Sequence, residues 1–282
     1  MAKRVNPGSK NGAYLRKGLA PYTRRLNDLY IEAQLSVQGL KWVLDDVRHL
    51  EKSGQKFFKI SAPSALQPRR NIYREFGLVH ELLRQRMDSK EYIQTIVFAV
   101  ALTESYISGC LHAIIRAYPK KLLMSTKGAE AKDGTLSIDL RDFLNAESME
   151  SIISERATHR VREAGYANPE TFFKYCKAIF GFEYSEALRK EYIEIKASRD
   201  IFVHNDGIVN EIYVEKSGDS SRAAVGDALP VDLAYFDKTI VCLKGITTAT
   251  YRGLLEKFAQ SEELNRVFEA DAHQRTSTKP TP

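Results

Sequence analysis

The chain has 282 residues, 43% of them apolar and 28% charged, with a net charge of +6 and a pI near 9.0. That balance suits a folded soluble protein with ample material for a core, and excludes collagenous, low-complexity and disulfide-scaffold classes. Cys110, Cys176 and Cys242 are odd in number and far apart, with no C-x-x-C or Cys/His cluster. No metal site and no cofactor is therefore expected, and reduced thiols in a cytoplasmic setting fit best.

Residues 1–27 carry Lys3, Arg4, Lys10, Arg16, Lys17, Arg24 and Arg25 and no acidic residue. Residues 1–25 read as a basic mobile arm, which either draws in a polyanion or is simply a solvated tail. No apolar run follows these charges, so the segment is not a secretory signal. Leu29, Ala33, Val37, Leu40 and Leu44 fall near helical spacing and predict a helix from Leu26 to Glu51, stopped by Lys52-Ser53-Gly54. Ser61 to Pro68 reads as a connector and Ile72 to Met87 as a second helix, giving an N-terminal helical region over 26–87.

Asp88, with Glu91 three residues on, predicts a capping box opening a long apolar helix that Pro119 closes. Gln94, Glu104 and His112 interrupt its run from Tyr92 to Ala117, so a buried helix is expected rather than a membrane span. Lys127 to Ser137 reads as a loop and Ser148 to Ala164 as a charged helix. Asn168-Pro169 opens another helix that Gly181 stops. Ser185 to His204 forms the next, ended by Asn205-Asp206-Gly207, residues that tolerate left-handed backbone. Ile208 to Gly226 holds β-prone pieces around a Ser/Gly/Asp turn. Asp232 caps a final helix to about Phe258, and residues 259–282 read as a disordered tail. The expected fold class is all-α: a helical bundle with a small β-prone excursion after the Ser185–His204 helix.

That helix carries the chemistry. Ile193, Ala197 and Ile201 form an apolar stripe, while Lys196, Asp200 and His204 recur at i, i+4 and i+8 with Arg199 beside them. A permanent cation and an imidazole suit a phosphodiester: one holds the phosphate, the other moves a proton near neutral pH. His204 lies about 140° round the helix from Arg199, so the two line one rim or converge across two copies of the helix. A bare pattern of arginine, four to six residues, then histidine is weak, because Arg74 to His80 and Arg266 to His273 fit it as well. Only His204 precedes an Asn-Asp-Gly stop that would leave its ring at an exposed helix end. Structure alone also accounts for the pattern, with Arg199 and Asp200 paired to other helices and His204 closing the bundle.

Glu104 interrupts an otherwise apolar seam of Ile93, Val97, Val100, Ile107, Leu111 and Ile114, and a carboxylate there needs a cation. It is expected to reach Arg199 or Lys196, or else an unrelated Lys or Arg. Ser108 and His112 continue its stripe, as a second polar row or as a satisfied core histidine. Phe172, Phe173, Tyr175, Phe180, Phe182 and Tyr184 either stack on unpaired bases or fill the core. Arg69, Arg70, Arg74, Arg84 and Arg86 either guide RNA or are solvated. Nucleophile-elbow, Walker and H-E-x-x-H motifs are absent.

The run from Arg199 to Asn210 resembles the R-[polar]-x-x-x-H signature of HEPN domains (higher eukaryotes and prokaryotes nucleotide-binding). It is most similar to the bacterial ribonuclease and phage-defence branch, RiboL-PSP-HEPN-like, in which H-N-x-G-h-V-N follows. Ala101 to Leu111 and Pro119 resemble the same branch. The resemblance covers roughly residues 88–258; residues 1–87 match no family. It implies a homodimeric helical bundle in which two motifs face each other, and metal-independent RNA cleavage. Arg199 would grip the scissile phosphate and His204 would act as general base or acid. Asp200 would orient one of them, with Glu104, Lys196 and Asn205 supporting and Lys3, Arg4, Arg16, Lys17, Arg24 and Arg25 binding RNA. Asparagine or histidine is also frequent after the arginine, so Asp200 departs mildly from the pattern. The resemblance further implies a toxin or defence role with an inhibitor or complex partner. The alternative is a non-catalytic RNA- or protein-binding subunit of a defence complex. No membrane partner is expected.

Overall fold

The computed structural model describes residues 12–63, 65, 68–124 and 140–277. Helix α1 (Ala13–Lys52) leads to a two-stranded antiparallel hairpin, β1 (Phe58–Ala62) and β2 (Arg70–Arg74), in which Ile60 pairs with Ile72. Helices α2 (Phe76–Gln85) and α3 (Glu91–Ala117) follow, joined by a π-helical turn over Arg86–Lys90. Then come α4 (Leu140–Asn145), α5 (Met149–Tyr166), α6 (Pro169–Phe180), α7 (Glu186–His204), α8 (Glu211–Ser217), α9 (Leu233–Phe258) and α10 (Glu262–Ser277).

Apolar side chains explain the centre. Ile96, Val100, Ile107, Leu111 and Ile114 of α3 are fully buried, and α1, α5, α7 and α9 pack around them. Phe236 of α9 stacks between Tyr30 of α1 and Tyr92 of α3, with ring centroids 5.5 and 5.0 Å away. Among the described residues one helical stretch, Phe76–Ala117, is long and apolar enough to cross a bilayer. More than half of its most apolar window is buried in the protein.

Local capping chemistry sets most helix ends. Ser148 and Ser151 form a reciprocal capping box on α5. The Asn168 side chain accepts from the Glu170 amide of α6, and Gly181 ends that helix at φ 76°. Ser185 accepts from the Leu188 amide at the start of α7, and Asp232 from the Tyr235 amide of α9. Each cap is worth about 1 kcal/mol.

Several expectations are corrected. The basic segment is not a mobile arm over its described part: α1 begins at Ala13, and Leu15 and Leu26 are buried in the main core. Tyr14, Leu15, Leu19, Tyr22 and Leu26 make an amphipathic face among the cations. Residues 1–11, with Lys3, Arg4 and Lys10, lie outside the described residues. The tail is helical as α10: Leu264 is fully buried, Phe268 packs on Tyr14, and Asp271 pairs with Arg116 at 2.7 Å. Residues 278–282 lie outside the description. Asp88 caps nothing, because the chain passes from α2 into α3 through the π-turn. Ser61 and Ala62 end β1 and Ile72 to Arg74 lie in β2, so the second helix begins at Phe76 and not at Ile72; residues 64, 66 and 67 of the connector lie outside the described residues. One core runs from Leu15 to Leu264, so packing crosses the boundaries drawn at 25, 87 and 258. After α7, residues 208–228 form α8 and a loop closed by a single antiparallel bridge, Ile208 to Ala228. The loop expected over 127–137 lies outside the described residues.

Candidate active site

The end of α7 is built by its sequence. The Asn205 and Gly207 amides both donate to the Ile201 carbonyl, at 2.9 and 3.2 Å. Asp206 and Gly207 take positive φ of 50° and 79°, the left-handed geometry that stops the helix. The Asn205 side chain donates to the Ile208 carbonyl, so its amide serves the turn. His204 is left exposed at this end, while Ile193, Ala197 and Ile201 face inward.

Glu104 on α3 meets the motif helix from the opposite wall. Its Oε1 lies 2.7 Å from Lys196 Nζ, and its Oε2 accepts from Arg199 Nη2 at 2.7 Å. Arg199 Nη1 lies 3.1 Å from Asp200 Oδ1, and Lys216 of α8 reaches Asp200 Oδ2 at 3.3 Å. Three cations thus meet two carboxylates, and the cluster keeps one positive charge in excess. Arg199 Nε is buried and finds no acceptor among the described residues, so its two carboxylates do not saturate the guanidinium.

All these side chains open on one groove of about 1680 Å³, which is also lined by His204, Asn205 and Lys17. It runs along α3 past Ser108 to His112 and reaches α5, α10 and the start of α1. Arg199 and His204 both line this groove within a single chain. Among the described residues, the predicted basic side chains are not gathered there. Lys17 lines the groove, Arg16 and Arg24 line a separate small cleft with Tyr251, and the Arg25 guanidinium sits 5.3 Å over the Phe98 ring. Neither Arg74 with His80 nor Arg266 lines the groove. His80 is 3.6 Å from Glu51, and Arg69 bonds Ser61 on the hairpin. The Phe172–Tyr184 aromatics are mostly core; Phe172 also meets the groove, 5.7 Å beneath the Lys196 ammonium.

His112 is a satisfied histidine that also lines the groove. Its Nε2 is 3.2 Å from both the Ser154 carbonyl and Thr158 Oγ1, and because the Thr158 hydroxyl already donates to that carbonyl, the network is satisfied with the proton on Nε2. Burial lowers its pKa below the usual 6.5. A neutral imidazole is thus favoured by the fold. Its stabilising effect is complete above pH 6.5 and is lost as pH falls from there through the lower folded-state pKa, because the unfolded chain takes the proton more readily. A His112→Asn variant is expected to lose less stability than the parent between pH 7 and pH 5.5. Equal losses in urea titrations at the two pH values would contradict this.

A second cluster, unforeseen from the sequence, holds α7 in place. Glu194 is buried, and its Oε1 accepts from Ser198 Oγ at 2.6 Å, Arg222 Nε at 2.8 Å and Tyr213 OH at 3.0 Å. Its Oε2 accepts from Tyr235 OH at 3.0 Å. Arg222 also donates to Ser198 and to the Pro230 carbonyl, and its guanidinium lies 3.4 Å over the Tyr235 ring. The available signal was the one Glu104 gave: Glu194 stands on the face of Ala197, Ser198 and Ile201, a carboxylate on an otherwise buried stripe.

The three cysteines are free and buried; burial raises the Cys110 thiol to about 12, which leaves it a poor nucleophile. Among the described residues no three His, Cys, Asp or Glu side chains gather to hold a metal ion. No family model, curated protein or solved structure matches the chain.

Proposed function

We propose that the chain is an endoribonuclease of the HEPN type, cutting RNA by attack of a ribose 2′-hydroxyl on the adjacent phosphate. The observation that carries this reading is the shared groove. Arg199 is held there by Glu104 from the facing helix, and the exposed His204 ring lines the same space. Arg199 would bind the phosphate and stabilise the charge that builds on it. His204 would take the 2′-hydroxyl proton or give one to the leaving 5′-oxygen, leaving a 2′,3′-cyclic phosphate and a 5′-hydroxyl. Asp200 would fix Arg199 on the side away from Glu104. The chemistry asks for no metal.

RNA, a second copy of the chain and an inhibitor or defence partner are the proposed associates. The proposed setting is a toxin or phage-defence system in the cytoplasm. Expression of the intact protein should arrest growth, and Arg199→Ala or His204→Ala should relieve the arrest while the protein still accumulates folded. Unrelieved arrest would count against the assignment. One observation favours a second reading, a non-catalytic RNA- or protein-binding subunit: both terminal guanidinium nitrogens of Arg199 face carboxylates, as in a structural ion pair. That reading predicts salt-sensitive RNA retention without cleavage.

A further inference from the structure

The groove extends well beyond the motif. Glu104, Ser108 and His112 share one face of α3, so about 12 Å of helix separates the ion cluster from His112. A scissile phosphate fills only one end of 1680 Å³. Helix α5 also lines the groove, with Thr158 beside His112 and with Gly165 and Tyr166 about two turns further along.

Three features mark this stretch of the groove. Gly109 and Gly165 line the groove, and a Cβ added at either would meet nothing within 4 Å. A helical glycine costs about 1 kcal/mol relative to alanine, so open space replaces side chains at a cost. Gly18, on the same groove, is explained by packing, since its Cβ would come 3.3 Å from the Phe268 ring. Gly39 and Gly77 also face open space but lie away from the groove. Tyr166 presents a ring 86% exposed at the last residue of α5. The His112 ring, with its proton on Nε2 toward α5, keeps Nδ1 as an acceptor, and Ser108 supplies a hydroxyl beside it.

We propose that this stretch is a base-binding slot. An unpaired nucleobase of a single-stranded RNA, flanking the phosphate at Arg199, lies between α3 and α5 against Gly109 and Gly165. Tyr166 stacks on it or on its neighbour, and Ser108 and His112 bond its polar edge. A base within a duplex is stacked and paired and cannot enter, so the substrate is single-stranded or looped. The slot rests on the ribonuclease reading.

The test uses full-length protein carrying His204→Ala, so that RNA is bound and not consumed. A labelled single-stranded oligoribonucleotide and the same sequence in a duplex are the probes. Gly109→Leu fills the slot and Tyr166→Ala removes the platform. Each is expected to weaken single-strand binding at least tenfold, with duplex binding weaker from the start and unchanged by either. Gly109→Leu should melt no lower than its parent. Tyr166→Ala, at an exposed position, keeps the test decisive if Gly109→Leu fails to fold. Should the parent bind the single strand and both variants bind it equally well, the slot is wrong while the RNA reading survives. Should the parent bind neither probe at physiological salt, the RNA reading falls and the slot with it.

Discussion

Arg222→Ala should lower the unfolding free energy by about 3–5 kcal/mol, because it leaves the buried Glu194 carboxylate without its cation. Hydroxyls from Ser198, Tyr213 and Tyr235 would still donate to Glu194, but neutral donors do not offset a desolvated charge. The loop after α8 would also lose its bond to the Pro230 carbonyl and its stacking on Tyr235. Glu194 and Ser198 lie five residues and one residue before Arg199 on α7, so the motif helix loses its anchor as well as its stability. Urea unfolding measures this directly. A loss below about 1 kcal/mol would mean that water and the remaining hydroxyls replace the guanidinium.

Glu104→Gln should split binding from turnover. The substitution removes the charge that holds Lys196 and Arg199 at 2.7 Å each and leaves two cations side by side. The cost in stability should be about 2 kcal/mol, the scale of lost charge-assisted hydrogen bonds at a partly exposed site. With one more positive charge at the groove, RNA should be held more tightly at low salt. Cleavage should nevertheless fall at least tenfold, because the guanidinium would no longer be positioned where the phosphate charge develops. Tighter retention with undiminished cleavage would show that Glu104 is only a structural counter-ion.

Helix ends were the most legible part of this chain. Ser148, Asn168, Ser185 and Asp232 accept from amides a few residues away, and Gly181 and Asn205-Asp206-Gly207 close their helices through amides that donate to carbonyls about one turn back, so no knowledge of the fold was needed. Glu104 was legible for a related reason, since a carboxylate in an apolar seam demands a partner and the nearby helices offered Lys196 and Arg199. What escaped depended on distant packing. Leu15 and Leu26 stand among cations and glycines, and only α9, α10 and α3 make their burial worthwhile. Leu264 and Asp271 sit in a polar stretch whose order comes from α3 and α1. Arg222 lies in a Ser/Gly loop, and nothing local says that its guanidinium crosses to Glu194. Asp88 offered a capping pattern, but the chain stays helical through it by way of the π-turn. The groove itself was invisible, because it is formed by α1, α3, α5, α7 and α10 together.

The central claim is that Arg199 and His204 form one phosphodiester-cleaving site. The direct measurement is incubation of purified parent and His204→Ala proteins with total RNA in excess chelator, followed by analysis of the new ends. The parent should produce 2′,3′-cyclic phosphate and 5′-hydroxyl ends, with His204→Ala slower by about 10²–10⁴-fold at unchanged melting temperature. Cleavage that His204→Ala leaves intact, or that stops when divalent metal is chelated, would contradict it.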